Sequence, residues 1–274
     1  AQLISTLGCF LYAFLKYPEL RLHREDWRIT RRDVTRHLIQ GIPLGLQFSV
    51  LAIGIIVMQS VIVQFDTLGG EMVSNAAQNG FGAANKLNNL LMTPLNGLGT
   101  AMTSFTAQNL GAGDHARIKK GTVQALFIVW TMCLISIAAG LLLSRGGGYL
   151  YIFLSPDKVT AETMRYGNTY LYVDLSLYLF LGFIFVVRNC VQGIGKPQFV
   201  LGAGAAELAA RVSVCLLLPP LIAGGAVNSD APRAAVYALC FADPFAWMAA
   251  DAVLLVPFLR NIMKMDYRYL KGTA

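Results

Sequence analysis

The chain has 274 residues, of which 55% are apolar and only 14% charged, with a formal net charge of +7 and a mean hydropathy of +0.55. Soluble domains carry about a quarter charged residues, so this composition argues against a soluble globular domain, a disordered chain or a fibrous repeat. The five cysteines sit singly in apolar stretches without a CxxC pair, which gives no support to a disulfide scaffold or a zinc site. The expectation is an all-α polytopic membrane protein.

In chain order, Ala1–Leu15 is apolar but too short to cross a bilayer, which takes roughly 20 helical residues. With no basic leader it reads as the end of a preceding helix rather than a signal peptide, so the chain is expected to be part of a longer one. Residues 16–37 carry seven basic and four acidic side chains and read as a cytoplasmic linker. Residues 38–263 then hold six expected crossings, at about 38–65, 77–110, 121–144, 166–192, 199–224 and 234–260, followed by a tail over 264–274. Membrane strands would alternate apolar and polar residues over about ten positions, and these runs do not.

Placing the linker in the cytoplasm puts sixteen Lys and Arg residues on that side and four on the other, with Lys86 and Arg211 inside the spans. That asymmetry predicts a cytoplasmic C-terminus. It also accounts for the net charge, since the basic residues lie in short loops with no aromatic-interleaved basic face, and nucleic acid is not an expected partner. The expected partner surface is the lipid bilayer. Six helices after a remnant helix suggest the second lobe of a two-lobed transporter, with a missing N-terminal lobe as its partner.

Polar residues at membrane depth are the candidate site. In the third apolar segment Asn79, Lys86, Asn89, Thr93, Asn96, Thr100 and Thr103 recur at helical spacing and form one stripe. The stripe is either polar glue between helices or the wall of a cavity; the charge of Lys86 points to the cavity. Pro94, Gly97 and Gly99 are expected to interrupt this helix. Further on, Glu207 and Arg211 stand four apart with the acid first, and Asp243, Trp247 and Asp251 share one helix face. Glu207 and Asp251 both lie roughly 12–14 Å in from the cytoplasmic boundary, with Arg211 a turn deeper. Arg211 is therefore expected to reach Asp251 as well as Glu207, as an ion-binding group or as a structural ion cluster. Asp174 has no acid or base at i±3 or i±4, so it is expected either to have a partner on another helix or to stay protonated, and a buried carboxylate of this kind is a functional candidate. Gln47 follows a GIPLG run that loosens its helix and favours close packing.

No HExxH, GxSxG or Walker-type loop occurs. With no nucleophile–base or metal constellation the chain is not read as an enzyme, and no cofactor is expected; an energised transporter would have to draw on an ion gradient.

Five stretches carry a family resemblance: GIPLGLQFSV (Gly41–Val50), PLNGLGTAMTSFTAQNLGAG (Pro94–Gly113), RNCVQGIGKP (Arg188–Pro197), ELAARV (Glu207–Val212) and DPFAWMAAD (Asp243–Asp251). Together they resemble the C-terminal half of the multidrug and toxic compound extrusion (MATE) family, nearest to its bacterial MepA-like and DinF-like members. The resemblance implies a twelve-helix, two-lobed antiporter in a bacterial plasma membrane that expels amphipathic, often cationic compounds in exchange for sodium or protons. It identifies residues 1–15 with the end of the sixth helix, 16–37 with the inter-lobe linker and 38–263 with the C-lobe. On the same reading Asp174, Glu207, Arg211, Asp243, Asp251, Lys86, Asn89 and Asn96 would bind substrate or ion. Carboxylates of the NorM-like cation site fall here at Leu51 and Leu181. In other prokaryotic members a proton-responsive aspartate lies on the first helix, outside the stretch the resemblance covers. The superfamily also contains flippases of lipid-linked oligosaccharides, the alternative function.

Overall fold

The computed structural model describes residues 2–18 and 30–264. Much of the expected linker and almost all of the expected tail, with Arg21, Arg24, Arg28, Arg268 and Lys271, lie outside the described residues. The chain divides into two compact units, residues 1–42 and 43–274.

In the first unit α1 (Gln2–Lys16) is a short apolar helix. Its last turn is tied by Lys16, whose ammonium donates to the Tyr12 hydroxyl at 2.7 Å. Phe10 and Phe14, one turn apart, stack with centroids 5.7 Å apart. The helix α2 (Arg31–Gln64) starts earlier than the apolar run does. Its start is set by a reciprocal cap: the Thr30 amide donates to Asp33 Oδ2 at 3.1 Å and the Asp33 amide to Thr30 Oγ1 at 3.3 Å. Two backbone donors that the helix leaves orphaned are satisfied in this way, and the end of the charged segment becomes helical.

In the second unit α2 ends at a two-residue hairpin, β1 (Thr67–Leu68) pairing antiparallel with β2 (Glu71–Met72). Gly69 and Gly70 make its turn with φ of 62° and 89°, a conformation that glycine adopts without a Cβ penalty. The adjoining Asp66 is fully buried. Its carboxylate accepts from the Ala77 and Gln78 amides at 3.0 and 2.9 Å, so it caps α3 (Ala76–Gly111) from a distance in sequence.

The helix α3 corrects one expectation. Pro94, Gly97 and Gly99 do not interrupt it: it is one helix of 36 residues with Pro94 inside. A proline removes a single ladder bond, and neighbouring helices hold the rest of the turn. The break falls elsewhere, within the expected crossing 166–192. Here α6 (Ala161–Ser176) and α7 (Tyr178–Gly193) meet at Leu177 with a bend of 57°. There Ser176 Oγ donates to the Val173 carbonyl at 2.7 Å, a local bond that competes with the helix ladder.

Between them lie α4 (His115–Ser144) and the short α5 (Gly148–Phe153). The chain continues through α8 (Pro197–Ala223), α9 (Arg233–Cys240) and α10 (Ala242–Pro257), and α10 ends in a π-turn over Phe258–Met263. Among the described residues four helical stretches are long and apolar enough to cross a membrane, and the bent α6–α7 pair makes a fifth. The helix α3 is long enough as well, but its polar stripe keeps its hydropathy lower.

The second unit packs α3 against α4, α6 and α7, and α8 against α9 and α10. Small residues permit the closest approaches, as expected where apolar burial drives little helix association. A Cβ at Gly80 would lie 2.9 Å from the Gly167 amide of α6. One at Gly99 would lie 2.9 Å from the Phe185 carbonyl of α7. Tyr149, Tyr170 and Tyr178 are the largest of the fully buried side chains.

Candidate functional site

A cavity of about 910 Å³ opens within the second unit between α2, α3, α7, α8 and the start of α10. One wall is the polar stripe of α3: Lys86, Asn89, Asn96, Thr100 and Thr103 all line it, whereas Asn79 and Thr93 do not. Asn89 Nδ2 donates to Asn85 Oδ1 at 2.8 Å, and Asn96 presents its carbonyl to Thr100 Oγ1 at 3.0 Å. Both asparagines are exposed and line the cavity, although the Asn89 amide is also held by Asn85 one turn back on α3. Deeper along the wall, Thr103 Oγ1 donates to Asn189 Oδ1 at 2.8 Å.

The same cavity is lined by an ion cluster built from three helices. Arg188 of α7 donates to Glu207 Oε2 of α8 at 2.7 Å. Glu207 Oε1 meets Arg211 at 3.4 Å, one turn along the same helix. Arg211 places Nε and Nη2 on Asp243 Oδ1 of α10, both at 2.8 Å. Asp243 Oδ2 in turn accepts from the Tyr170 hydroxyl of α6 at 2.8 Å. Two arginines and two acids thus alternate, and Lys86 has no ion pair among the described residues. Gly54 of α2 makes room for the cluster, since a Cβ there would come within 3.1 Å of the Arg211 guanidinium.

The partner of Arg211 is a correction. It reaches Glu207, as expected, but Asp243 and not Asp251. Arg211 faces Asp243, and a Cβ at Gly202 would lie 3.7 Å from Val253, so α8 and α10 run antiparallel in a register that leaves Asp251 two turns past Arg211. Equal distance from a boundary measures depth only. Lateral pairing follows the helix register, which depth cannot supply.

Asp174 and Asp251 do not line the cavity. Asp174 is fully buried behind α3, where Asn88 Nδ2 donates to its Oδ2 at 2.8 Å. The partner is on another helix, one of the two outcomes expected from the sequence. Asp251 is buried with neither oxygen hydrogen-bonded. Sequence reasoning missed Arg188, Tyr170, Asn88 and Asn189 as site residues. Arg188 was assigned to the cytoplasmic boundary by its position in the chain. Its carboxylate partner on α8 was the signal that could have moved it inward, but nothing local links the two.

The fold and this site define a multi-pass membrane protein of helices around an internal, charge-lined cavity. The MatE family model matches residues 38–217, which is more than half of the chain, and the chain belongs to this family of transporters. A probable multidrug resistance protein of Bacillus subtilis (strain 168), YpnP, is 31% identical over 163 residues, covering 59% of this chain and 33% of that protein. Among solved structures, an outward-facing multidrug resistance MATE family transporter of the MOP superfamily superposes with a TM-score of 0.73 at 17% identity. That match covers 94% of this chain and 53% of the other. A MATE structure in complex with MaL6 gives a TM-score of 0.70 at 16% identity, over 93% of this chain and 54% of that one. The chain therefore spans about a third of the curated relative and about half of the solved transporters.

Proposed function

We propose that this chain forms the second lobe of a gradient-driven exporter of amphipathic, mostly cationic compounds. On this reading residues 38–263 are the lobe, residues 16–37 lead into it, and an N-terminal lobe closes the other side of the cavity. The observation that carries the proposal is the cavity of about 910 Å³ lined by both the Arg188–Glu207–Arg211–Asp243 cluster and the amide stripe. A volume of this order suits a drug-sized ligand. Amides and hydroxyls can adapt to varied ligands, and buried carboxylates can offer a countercharge to an organic cation.

The acids that a NorM-type sodium site would use are replaced by Leu51 and Leu181, both on the cavity wall. Among the described residues the acids on the cavity wall are Glu207 and Asp243, and on this reading the countercharge comes from this pair, Glu207 first. A carboxylate that binds either the coupling ion, sodium or proton, or the drug cation, but not both, couples the two fluxes by competition. The lobes would alternate access around that site. The flippase alternative is not favoured: a pyrophosphate needs several free cationic groups, and of the cationic side chains on the cavity wall only Lys86 lacks an ion pair among the described residues. The distribution of basic residues supports a cytoplasmic C-terminus in a bacterial plasma membrane.

The test is dye-cation uptake by the full-length protein in proteoliposomes, with sodium and proton gradients imposed separately. Accumulation under one gradient is expected, and that gradient names the ion. No movement of any cation under either, with folded protein verified, would sink the proposal.

A further inference from the structure

Asp251 is the acid that the ion cluster leaves out. Its side chain is buried, and both carboxylate oxygens lack a hydrogen-bond partner. Arg188 Nε, on the neighbouring helix, is also buried and unpartnered, although the same guanidinium holds Glu207 at 2.7 Å through Nη2. The helices α7 and α10 pack together, with Tyr178 edge-on to Trp247 at 6.2 Å one turn before Asp251. Long helical side chains lean toward the helix N-terminus, which carries the Arg188 guanidinium back from its Cα toward the level of Asp251. Arg188 from α7 and Glu207 from α8 are the charged groups that face Asp251; α6 and α9 add none among the described residues. A charged carboxylate buried without a donor or countercharge is strongly disfavoured. A neutral carboxylic acid in the same place is not.

We propose that Arg188 exchanges between Glu207 and Asp251, so that binding of one organic cation at Glu207 releases one proton from Asp251. This rests on the cation-efflux reading and names the coupling ion and its carrier. In the arrangement described, Asp251 is a neutral acid, Arg188 is paired with Glu207, and the cavity offers no free carboxylate oxygen at Glu207 Oε2. In the exchanged arrangement Asp251 has given its proton to solvent water, Arg188 is paired with the Asp251 carboxylate, and Glu207 Oε2 accepts the cation. Charge balances between the two, because one positive charge enters as one leaves and every ionised acid of the group keeps a cationic partner. Arg211 stays on Asp243 throughout and keeps α8 in register with α10. Glu207 lines the cavity and Asp251 does not. The cation and the proton therefore use separate groups joined through one guanidinium.

The experiment is titration calorimetry of the full-length protein in detergent with tetraphenylphosphonium, in buffers of different ionisation enthalpy, alongside the proteoliposome assay. The unmodified protein is expected to release one proton per bound cation, with affinity falling up to about tenfold per pH unit as pH is lowered. Asp251→Asn should hold Arg188 on Glu207, bringing proton release close to zero and leaving a weak affinity that no longer varies with pH. Asp251→Glu should restore both. A purely structural Asp251 would leave the proton count untouched, and unchanged release in Asp251→Asn overturns the exchange. So does an unmodified protein that transports the cation yet releases no proton on binding, a result that needs no variant to fold. An unmodified protein that neither binds nor moves any cation overturns the efflux reading, and the exchange with it.

Discussion

At Arg211 a single guanidinium, almost fully buried, meets Asp243 at 2.8 Å and Glu207 at 3.4 Å. Removing one member of a buried ion network leaves its partners charged and unsatisfied, whereas replacing a whole pair with apolar groups is often tolerated. Arg211→Met is therefore expected to lower stability by about 3–5 kcal/mol, read as a drop in the thermal unfolding midpoint in detergent. Arg211→Met combined with Asp243→Leu should recover part of that loss. A double variant as unstable as the sum of its parts would show that the pair is not the unit of stability. Asp174 differs in kind, because its described partner is the neutral amide of Asn88. Asp174→Asn keeps the shape and removes the ionisable group. Under the efflux reading it should slow gradient-driven cation transport at least severalfold while leaving the unfolding midpoint unchanged or raised; transport at the unmodified rate would remove Asp174 from the candidate site.

At the scale of elements, α3 divides its two tasks by face. Its polar stripe lines the cavity, and its glycines bring other helices close. A Cβ at Gly99 would lie 2.6 Å from Asn189 Nδ2 and 2.9 Å from the Phe185 carbonyl, while one at Gly97 would meet nothing within 4 Å. Gly99→Ala must push α3 and α7 apart and is expected to cost about 1–3 kcal/mol. Gly97→Ala, two residues away on an open face, should be neutral or slightly stabilising because alanine is the better helix former. Equal midpoints for the two variants would refute the close-packing account. The amide stripe itself was legible in the sequence, because a helical period of polar residues in an apolar run depends on nothing but spacing. The continuity of α3 through Pro94 and the bend at Leu177 were not legible. Proline and glycine mark where a helix can break, and the packing of neighbours decides where it does.

For the molecule as a whole, orientation is the property that the charge distribution predicts most directly. Cys133, Cys190, Cys215 and Cys240 are buried and Cys9 is exposed, so Cys9→Ser leaves a low background for labelling. In intact cells a membrane-impermeant maleimide should then react with Lys158→Cys and spare Lys119→Cys, both at exposed positions. The reverse pattern would place the C-terminus outside the cell.

By itself the sequence determined that this chain is a helical membrane protein of the MatE family and that charges are buried in it. Both follow from local quantities, the length and polarity of each run and the residues of each motif. The segment boundaries fall within two residues of the ends of α3 and α8 for that reason, whereas α4 starts at His115, ahead of its segment. Only the tertiary structure decided who meets whom: Arg211 with Asp243 rather than Asp251, Arg188 with Glu207 at the cavity wall, and Asn88 with Asp174. The physical reason is that depth along a helix can be counted from its ends. Which side chains touch depends on the register and rotation of two helices against each other, set by close approaches such as Gly99 against the Phe185 carbonyl that no single segment contains.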